Sequence, residues 1–407
     1  MTPPLTPTGS RHAKSSSTSS DFLASISGLR RGDSLSSSAG RLSIDDSARP
    51  GSTELLAFPH HLIDYQIQTD GDGSKRPIGC GAWGDVYLAQ PSLPQQSDQP
   101  LVIPCGSSMS PPITPVRSRG SSIGTSILPS MPSRYAIKVP GSASAKKVLT
   151  AEARILSYLS QFPDADNHVV PFYGQDTRTG ALVLKALDGT LDVWIETHLN
   201  TLDEPNRAQK LASIFPTIAL SLIDSLTWMQ SKDCTHADIK PANILTSAST
   251  SSSITPTLIF SDFSSSILTA LATDDATPPP MGAGTWDFLD PSLLSFFNTP
   301  APSAATDLWS LGITLLFLVL GTSPFDAFKQ NKFQQREMIK SGTPLQCMAY
   351  DDQGIVNMRR MKGLSRDLGF DVSRWFAKVL VKSAEKRVSV GVWREELVGS
   401  LESGKRM

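Results

Sequence analysis

The order of patterns along the chain predicts an α+β fold in which strands are gathered ahead of helices. Three observations carry this. Five short strand-like segments fall between Ile78 and Leu187, broken by a single helical stretch. Beyond Val193 the periodicity turns helical. The longest apolar run, Leu311 to Leu320, is about half of the roughly 20 residues a membrane-spanning helix needs, so it reads as the buried core helix of the second half.

The bulk numbers narrow the function classes. A chain of 407 residues suits one two-lobed catalytic unit with extensions. Thirty-seven basic against 38 acidic residues give a net charge of -1, so nothing drives bulk attraction to nucleic acid or to an anionic membrane. Cys80, Cys105, Cys234 and Cys347 are scattered without C-x-x-C pairing, which argues against a disulfide framework or a zinc site and for a reducing compartment. The N-terminus opens with prolines and lacks the charged and apolar regions of a signal peptide. A location inside the cell, cytoplasmic or nuclear, is the expectation.

Residues 1–55 are Ser-, Thr-, Pro- and Gly-rich with few core-forming side chains, and are expected to be disordered. The Thr-Pro pairs at Thr2 and Thr6 and the basic-flanked Ser34 and Ser43 are acceptor patterns that any Ser-rich tail contains by chance. From Ile78 to Ala89 the pattern is strand, glycine-rich turn, strand. Gly79, Gly81 and Gly84 let backbone amides approach phosphates closely. Their G-x-G-x-x-G spacing also fits a dinucleotide fold, but there a helix follows the glycines, whereas Asp85 to Ala89 continue as a strand. Residues 90–133 are again Pro- and Ser-rich and read as a disordered insertion between strands, which loop-closure entropy tolerates.

Arg134 to Val139 form the next strand, carrying Lys138. In the helix that follows, Val148, Ala151, Ile155 and Leu159 recur at helical spacing, with Glu152 beside that stripe. Two strands, His168–Gly174 and Ala181–Leu187, flank a Thr-Gly turn. Helices from Val193 to His198 and from about Lys210 to Gln230 lead to the loop His236-Ala237-Asp238-Ile239-Lys240-Pro241-Ala242-Asn243. That loop holds what phosphoryl transfer needs: a carboxylate to orient a hydroxyl, a cation to quiet the moving charge, and an oxygen ligand for magnesium. Asp238, Lys240 and Asn243 are those groups in order. Next come an apolar strand ending in Ser261-Asp262-Phe263-Ser264, the segment Gly284 to Ser292, and the long helix that opens at Thr306-Asp307-Leu308-Trp309.

This series resembles the serine/threonine-type eukaryotic protein kinases, with His-Ala-Asp, Asp-Phe-Ser and Asp-Pro-Ser standing where H-R-D, D-F-G and A-P-E are usual. The resemblance covers residues 63–402. It implies a small, mostly antiparallel lobe with one helix, a larger mainly helical lobe, and ATP with Mg2+ in the cleft between them. It implies nucleotide contacts from Ile78, Gly79, Gly81, Gly84, Val86, Ala136 and Lys138, with the backbone near Lys185 and Leu187 holding the adenine. Asn243 and Asp262 become the metal ligands, Asp238 and Lys240 the catalytic pair, and Glu152 the partner of Lys138. Asp307 is expected to accept backbone amides of the catalytic loop, a plain N-cap being the alternative. Arg387 resembles the arginine that pairs with the usual A-P-E glutamate. With Ser292 at that position, either Asp290 substitutes, water reaches Arg387, or the alignment shifts.

Lys240 and Thr285 resemble the serine/threonine-directed version, so the expected partners are protein substrates with Ser or Thr acceptors. Ala237 cannot make the bonds by which the usual arginine reads an activation-loop phosphate, so activity is not expected to depend on phosphorylation there. Ser264 is expected to disfavour the flipped inactive loop that glycine permits. The opposing class is a pseudokinase acting as a nucleotide-binding scaffold, with Ala237, Ser264 and Ser292 as marks of decay.

Overall fold

A computed structural model describes residues 54–94, 132–247, 255–269, 286–294 and 299–404. The tail and insertion expected to be disordered fall outside these residues except at 54–55, 90–94 and 132–133, and Thr285 falls outside as well.

The first half builds one sheet. Strands β1 (Asp64–Ile67), β2 (Pro77–Gly81), β3 (Gly84–Ser92), β4 (Tyr135–Pro140), β5 (Phe172–Gln175) and β6 (Leu182–Lys185) are all paired antiparallel, in the order β1-β3-β4-β6-β5 with β2 on β3. β3 is bonded to β4 from Gly84↔Pro140 to Ala89↔Tyr135, so the chain between them, long as it is, leaves the register intact. One helix, α1 (Ala143–Leu159), packs on the sheet. The Ser142 hydroxyl accepts the Ala145 amide and stops the helix at its N-terminus. The helix opens at Ala143, less than one turn before the predicted stretch from Lys146, and β1 is a strand that the sequence reading did not mark.

The second half is helical, with short β pieces where it meets the first: β7 (Gly189–Thr190), α2 (Leu191–His198), α3 (Glu204–Ser231), β8 (Cys234–Thr235), β9 (Ile244–Ser247), β10 (Thr257–Phe260) and β11 (Ile267–Leu268). Then follow α4 (Ala304–Leu320), α5 (Lys332–Ser341), α6 (Pro344–Cys347), α7 (Asp351–Leu368), α8 (Val372–Ala377) and α9 (Val390–Gly404). α4 is the apolar run seen in the sequence; nearly every side chain from Thr306 to Leu320 is buried, as a helix apolar all round must be. α3 has the length and apolarity of a membrane span, but its apolar side chains pack against α4, α7 and α9. Both helices belong to one continuous core.

The N-cap of α4 is Ser303, closed by a capping box with Thr306. Asp307 is therefore not a cap, which removes one of its two readings.

The unresolved choice at Arg387 is settled by geometry. Asp290 and Arg387 form an ion pair whose side chains are 0% and 1% exposed. Arg387 also donates to the carbonyls of Val381, Ala305 and Lys382, and its guanidinium lies 5.0 Å from the centre of the Trp309 ring. The other Asp290 oxygen accepts the Ser292 amide and hydroxyl. Asp290 thus substitutes for the missing glutamate from two residues upstream, and Ser292 completes it. Removing one buried partner strands the other, so Asp290→Ala should lower unfolding free energy by about 3–5 kcal/mol in urea titration. The pair of changes Asp290→Ala with Arg387→Met should lose less than the sum of the singles; additive losses would show that the two charges do not couple.

Candidate active site

The cleft is assembled from two clusters. The first joins the sheet to the helix above it. Lys138 on β4 donates to Glu152 on α1 at 2.8 Å and to Asp262 at 2.8 Å. Glu152 is 1% exposed and its second oxygen accepts the Phe263 amide at 3.1 Å. Burial pushes the Glu152 carboxyl up, although the Lys138 charge opposes it. Burial alone would pull Lys138 down, but the two carboxylates more than offset that and hold it charged. For Asp262 burial also acts upward, and the Lys138 charge and hydrogen bond, helped by the Ser264 hydroxyl, outweigh it to leave the carboxyl at about 2. Asp262 stands at φ 60° and launches the turn that buries Phe263 against the His236 ring, 4.8 Å between centres. Ser264 is buried there, and its hydroxyl helps hold the Asp262 carboxyl down.

The second cluster is the loop before β9. Lys240 donates to Asp238 at 2.8 Å, and the Asn243 amide group donates to the same carboxylate oxygen at 2.9 Å and to the Asp238 carbonyl at 2.8 Å. The Asn243 side-chain oxygen is left to face other groups. β9 pairs with β10, and Ser261 donates through both its amide and its hydroxyl to the Asn243 carbonyl, which sets Asp262 beside Asn243. His236 is buried, with its ring bonded to the Ser261 carbonyl, so it links the two clusters.

Asp307 holds the loop from below. Its two oxygens accept the amides of His236 at 2.6 Å and Ala237 at 2.9 Å. Between them the chain turns with Ala237 at φ 64°, a left-handed conformation that costs a non-glycine residue about 1–3 kcal/mol. Spacing alone did not reveal this strain; an alanine gives no signal of it.

The hairpin over the cleft is tight, with Gly81 opposite Gly84 and only Ala82 and Trp83 between. A Cβ on Gly84 would sit 2.0 Å from the Val139 carbonyl oxygen, so this glycine is demanded by the β3–β4 contact. Gly79 and Gly81 have more room. Val86 is half-buried beneath them, while Ile78 is mostly exposed. Ala136 lies on β4 opposite Leu184, and Lys185, at the end of β6, donates its amide to Pro171 and points its side chain outward. Leu187 packs half-buried at the edge of the core. β-sheet pairing thus sets Val86 opposite Lys138 and Ala136 opposite Leu184, while Ile78 and Lys185 are exposed.

The donor set expected for a metal is oxygen from Asp262 and Asn243, which suits a hard cation such as magnesium. Among the described residues no three His, Cys, Asp or Glu side chains cluster to hold an ion by themselves, so further oxygens must come from nucleotide phosphates or water.

A two-lobed cleft with these paired clusters is the architecture of a phosphotransferase. The protein kinase domain model matches residues 133–392, and the chain belongs to that family. The match begins after the long interruption, yet β1 to β3 join the same sheet. The chain is similar to Serine/threonine-protein kinase TOS3 of Saccharomyces cerevisiae, 27% identical over 179 residues, 42% of this chain and 30% of that protein. It is also similar to Dual specificity mitogen-activated protein kinase kinase sek-1 of Caenorhabditis elegans, 27% identical over 190 residues, 44% and 50%. Serine/threonine-protein kinase ssp1 of Schizosaccharomyces pombe is 28% identical over 170 residues, 40% and 22%. The chain thus aligns with half or less of each of these relatives.

Two outcomes test the loop. Ala237→Gly should stabilise the protein by about 1 kcal/mol, read from the urea midpoint, because glycine relieves the left-handed strain; a loss would mean the turn is not strained. Burial, against its two amide bonds and with the Asp238 charge nearby, pushes Asp307 up to about 7. The native state then binds a proton more readily than the unfolded chain between about pH 4 and 7, so its contribution is present below about pH 4 and is lost as pH rises through 7. The stability difference between wild type and Asp307→Asn should shrink from pH 5 to pH 8, and a constant difference would contradict this.

Proposed function

We propose that the protein transfers the γ-phosphoryl group of Mg-ATP to Ser or Thr hydroxyls of protein substrates. The carrying observation is that the ion-paired cluster of Lys138, Glu152 and Asp262 is tied, through Ser261 and its bonds to Asn243 and His236, to the cluster of Asp238, Lys240 and Asn243. Names of similar proteins, two serine/threonine kinases and one dual specificity kinase, support the reaction class.

In this reading Gly79, Gly81 and Gly84 cover the phosphates, and Ile78, Val86 and Ala136 enclose the adenine. The backbone at Lys185 and Leu187 holds its edge. Lys138, fixed by Glu152, grips the phosphates that stay behind. Magnesium, when bound, neutralises phosphate charge, with Asn243 and Asp262 supplying protein ligands. Asp238 accepts a hydrogen bond from the incoming hydroxyl and takes its proton as the new P–O bond forms and the bond to the leaving oxygen breaks. Lys240, already paired with Asp238, follows the charge onto the transferring group. Most of the rate comes from positioning and fixed electrostatics.

Regulation belongs to the same proposal. A protein that turns on by activation-loop phosphate needs a cation next to Asp238 to read it, and Ala237 offers none. Activity then does not depend on phosphorylation of the segment after Ser264. Location in the cytoplasm or nucleus is proposed from the cysteine pattern; Cys80, Cys234 and Cys347 are free thiols.

Radiolabel transfer from ATP to a generic protein substrate, wild type beside Asp238→Ala, tests the reading. Transfer by the wild type should fall by orders of magnitude in the variant, with ATP affinity nearly unchanged. No transfer by either, with ATP binding intact, would assign the chain to the scaffold class. Phosphatase treatment should leave wild-type transfer intact, and a loss restored by acidic substitutions would overturn the regulatory part.

A further inference from the structure

A groove of about 990 Å³ runs over the large lobe between the first turns of α3 and the outer face of α7, and none of its lining comes from the cleft. Its walls are apolar. α3 contributes Pro205, Ala208 and Leu211, and α7 contributes Ile355, Met358 and Leu364. Its charged lining is almost wholly basic: Arg207, Arg359, Arg360, Lys362 and Arg366 against Glu204 alone.

The sequence of α7 explains the arrangement. Gly354, Asn357, Met361 and Leu364 are buried, so the adjacent stripe of Ile355, Arg359, Lys362 and Arg366, spaced i, i+4, i+7 and i+11, faces outward. Ile355 is 62% exposed in a stripe that is otherwise cationic. Gly363 lies in the groove in mid-helix, where glycine is a poor helix former, and a Cβ there would meet nothing within 4 Å. The fold itself does not ask for that glycine, whereas a chain lying close along α7 would.

The cations are only partly cancelled from within: Arg366 pairs with Asp367 of the same helix at 3.0 Å, while Arg359 and Lys362 stand exposed. Arg360 pairs with Glu204 and donates to the Leu320 carbonyl. Arg207 is 1% exposed, donates to the Val319 carbonyl at 3.0 Å and leaves its Nε without a hydrogen-bond partner among the described residues. Burial, with a smaller push from the neighbouring Arg360 charge, pulls its guanidinium down to about 10.

We propose that this groove docks an acidic amphipathic segment of a partner protein, its apolar side chains between Ala208 and Ile355 and its carboxylates on Arg359, Lys362 and Arg366. An apolar floor edged by one sign of charge selects such a segment by burial and by charge together. The docking site is separate from the cleft and does not depend on the chain being an active enzyme.

The test uses the full chain and a fluorescein-labelled synthetic peptide repeating Leu-Glu-Glu-Leu-Leu-Glu, with a scrambled peptide and a Lys-for-Glu peptide as controls. Polarisation should show saturable binding of the acidic amphipathic peptide alone, weakening as salt rises. Gly363→Leu, which fills open space, should abolish it. Arg359→Glu with Lys362→Glu should weaken it by about tenfold or more. All these positions are surface or open, so melting temperatures and any phosphotransfer should stay at wild-type values, which separates lost docking from lost folding. Absence of binding, equal binding of either control peptide, or binding indifferent to Gly363→Leu overturns the proposal. So does sedimentation showing a wild-type dimer that Gly363→Leu converts to monomer, since the face would then belong to a second copy.

Discussion

The cleft depends on one buried carboxylate. Asp307 sits in the first turn of α4, the most apolar helix of the fold, and the described bonding partners of its carboxylate are the amides of His236 and Ala237. Without such an acceptor, two adjacent amides would be buried unsatisfied and Ala237 would have no reason to hold a left-handed turn. That turn makes the chain double back so that His236 points inward to Ser261 and Phe263 while Asp238 points to Lys240 and Asn243. The geometry of the site is thus set from the core outward.

A second constraint links the lobes. Lys138 belongs to the sheet, Glu152 to the helix packed on it, and Asp262 to the end of β10 in the helical half. One ammonium satisfies both carboxylates, and Glu152 in turn fixes the Phe263 amide. Lys138 and Glu152 are buried, so each stripped of its partner would carry a large desolvation penalty, while Asp262 is partly exposed and carries less. The positions of α1 and of the turn after Asp262 are therefore coupled, and a shift of either loosens the grip of Lys138. Phe263 under α1 adds an apolar contact to the same coupling.

Much of this was legible in the sequence because phosphate chemistry restricts residue type and spacing at once. Gly79 to Gly84, Lys138, Asp238, Asn243 and Asp262 were all readable in that way. Helices α3 and α4 were visible as apolar periodicity, though α3 begins earlier than its pattern does, since Glu204 to Lys210 is polar and is held as helix by Arg207 against α4 and Glu204 against Arg360. Strand β1 escaped because its residues are only half-buried and show no strong alternation. What no pattern could reveal was three-dimensional exchange: that Ser303 caps α4, that Ala237 is strained, and that the exposed basic stripe of α7 borders a groove beside α3.

The departures from the family pattern gain meaning when each is asked what physical need it leaves unmet. At Ser292 the need is a carboxylate for a buried arginine, and Asp290 meets it from another position in the same turn, so the loss is only apparent. At Ser264 the need is a residue that can follow Asp262 in its left-handed turn, and a small side chain fits there, buried, with its hydroxyl favouring the charged Asp262. At Ala237 the side chain ends at Cβ and itself supplies no cation. Two substitutions are thus compensated, and the third removes a sensor without touching Asp238, Lys240 or Asn243. A decaying site would lose metal ligands and the proton acceptor as readily as a sensor; here the groups nearest the chemistry are the ones kept and cross-bonded, which favours an enzyme freed from loop control over a scaffold.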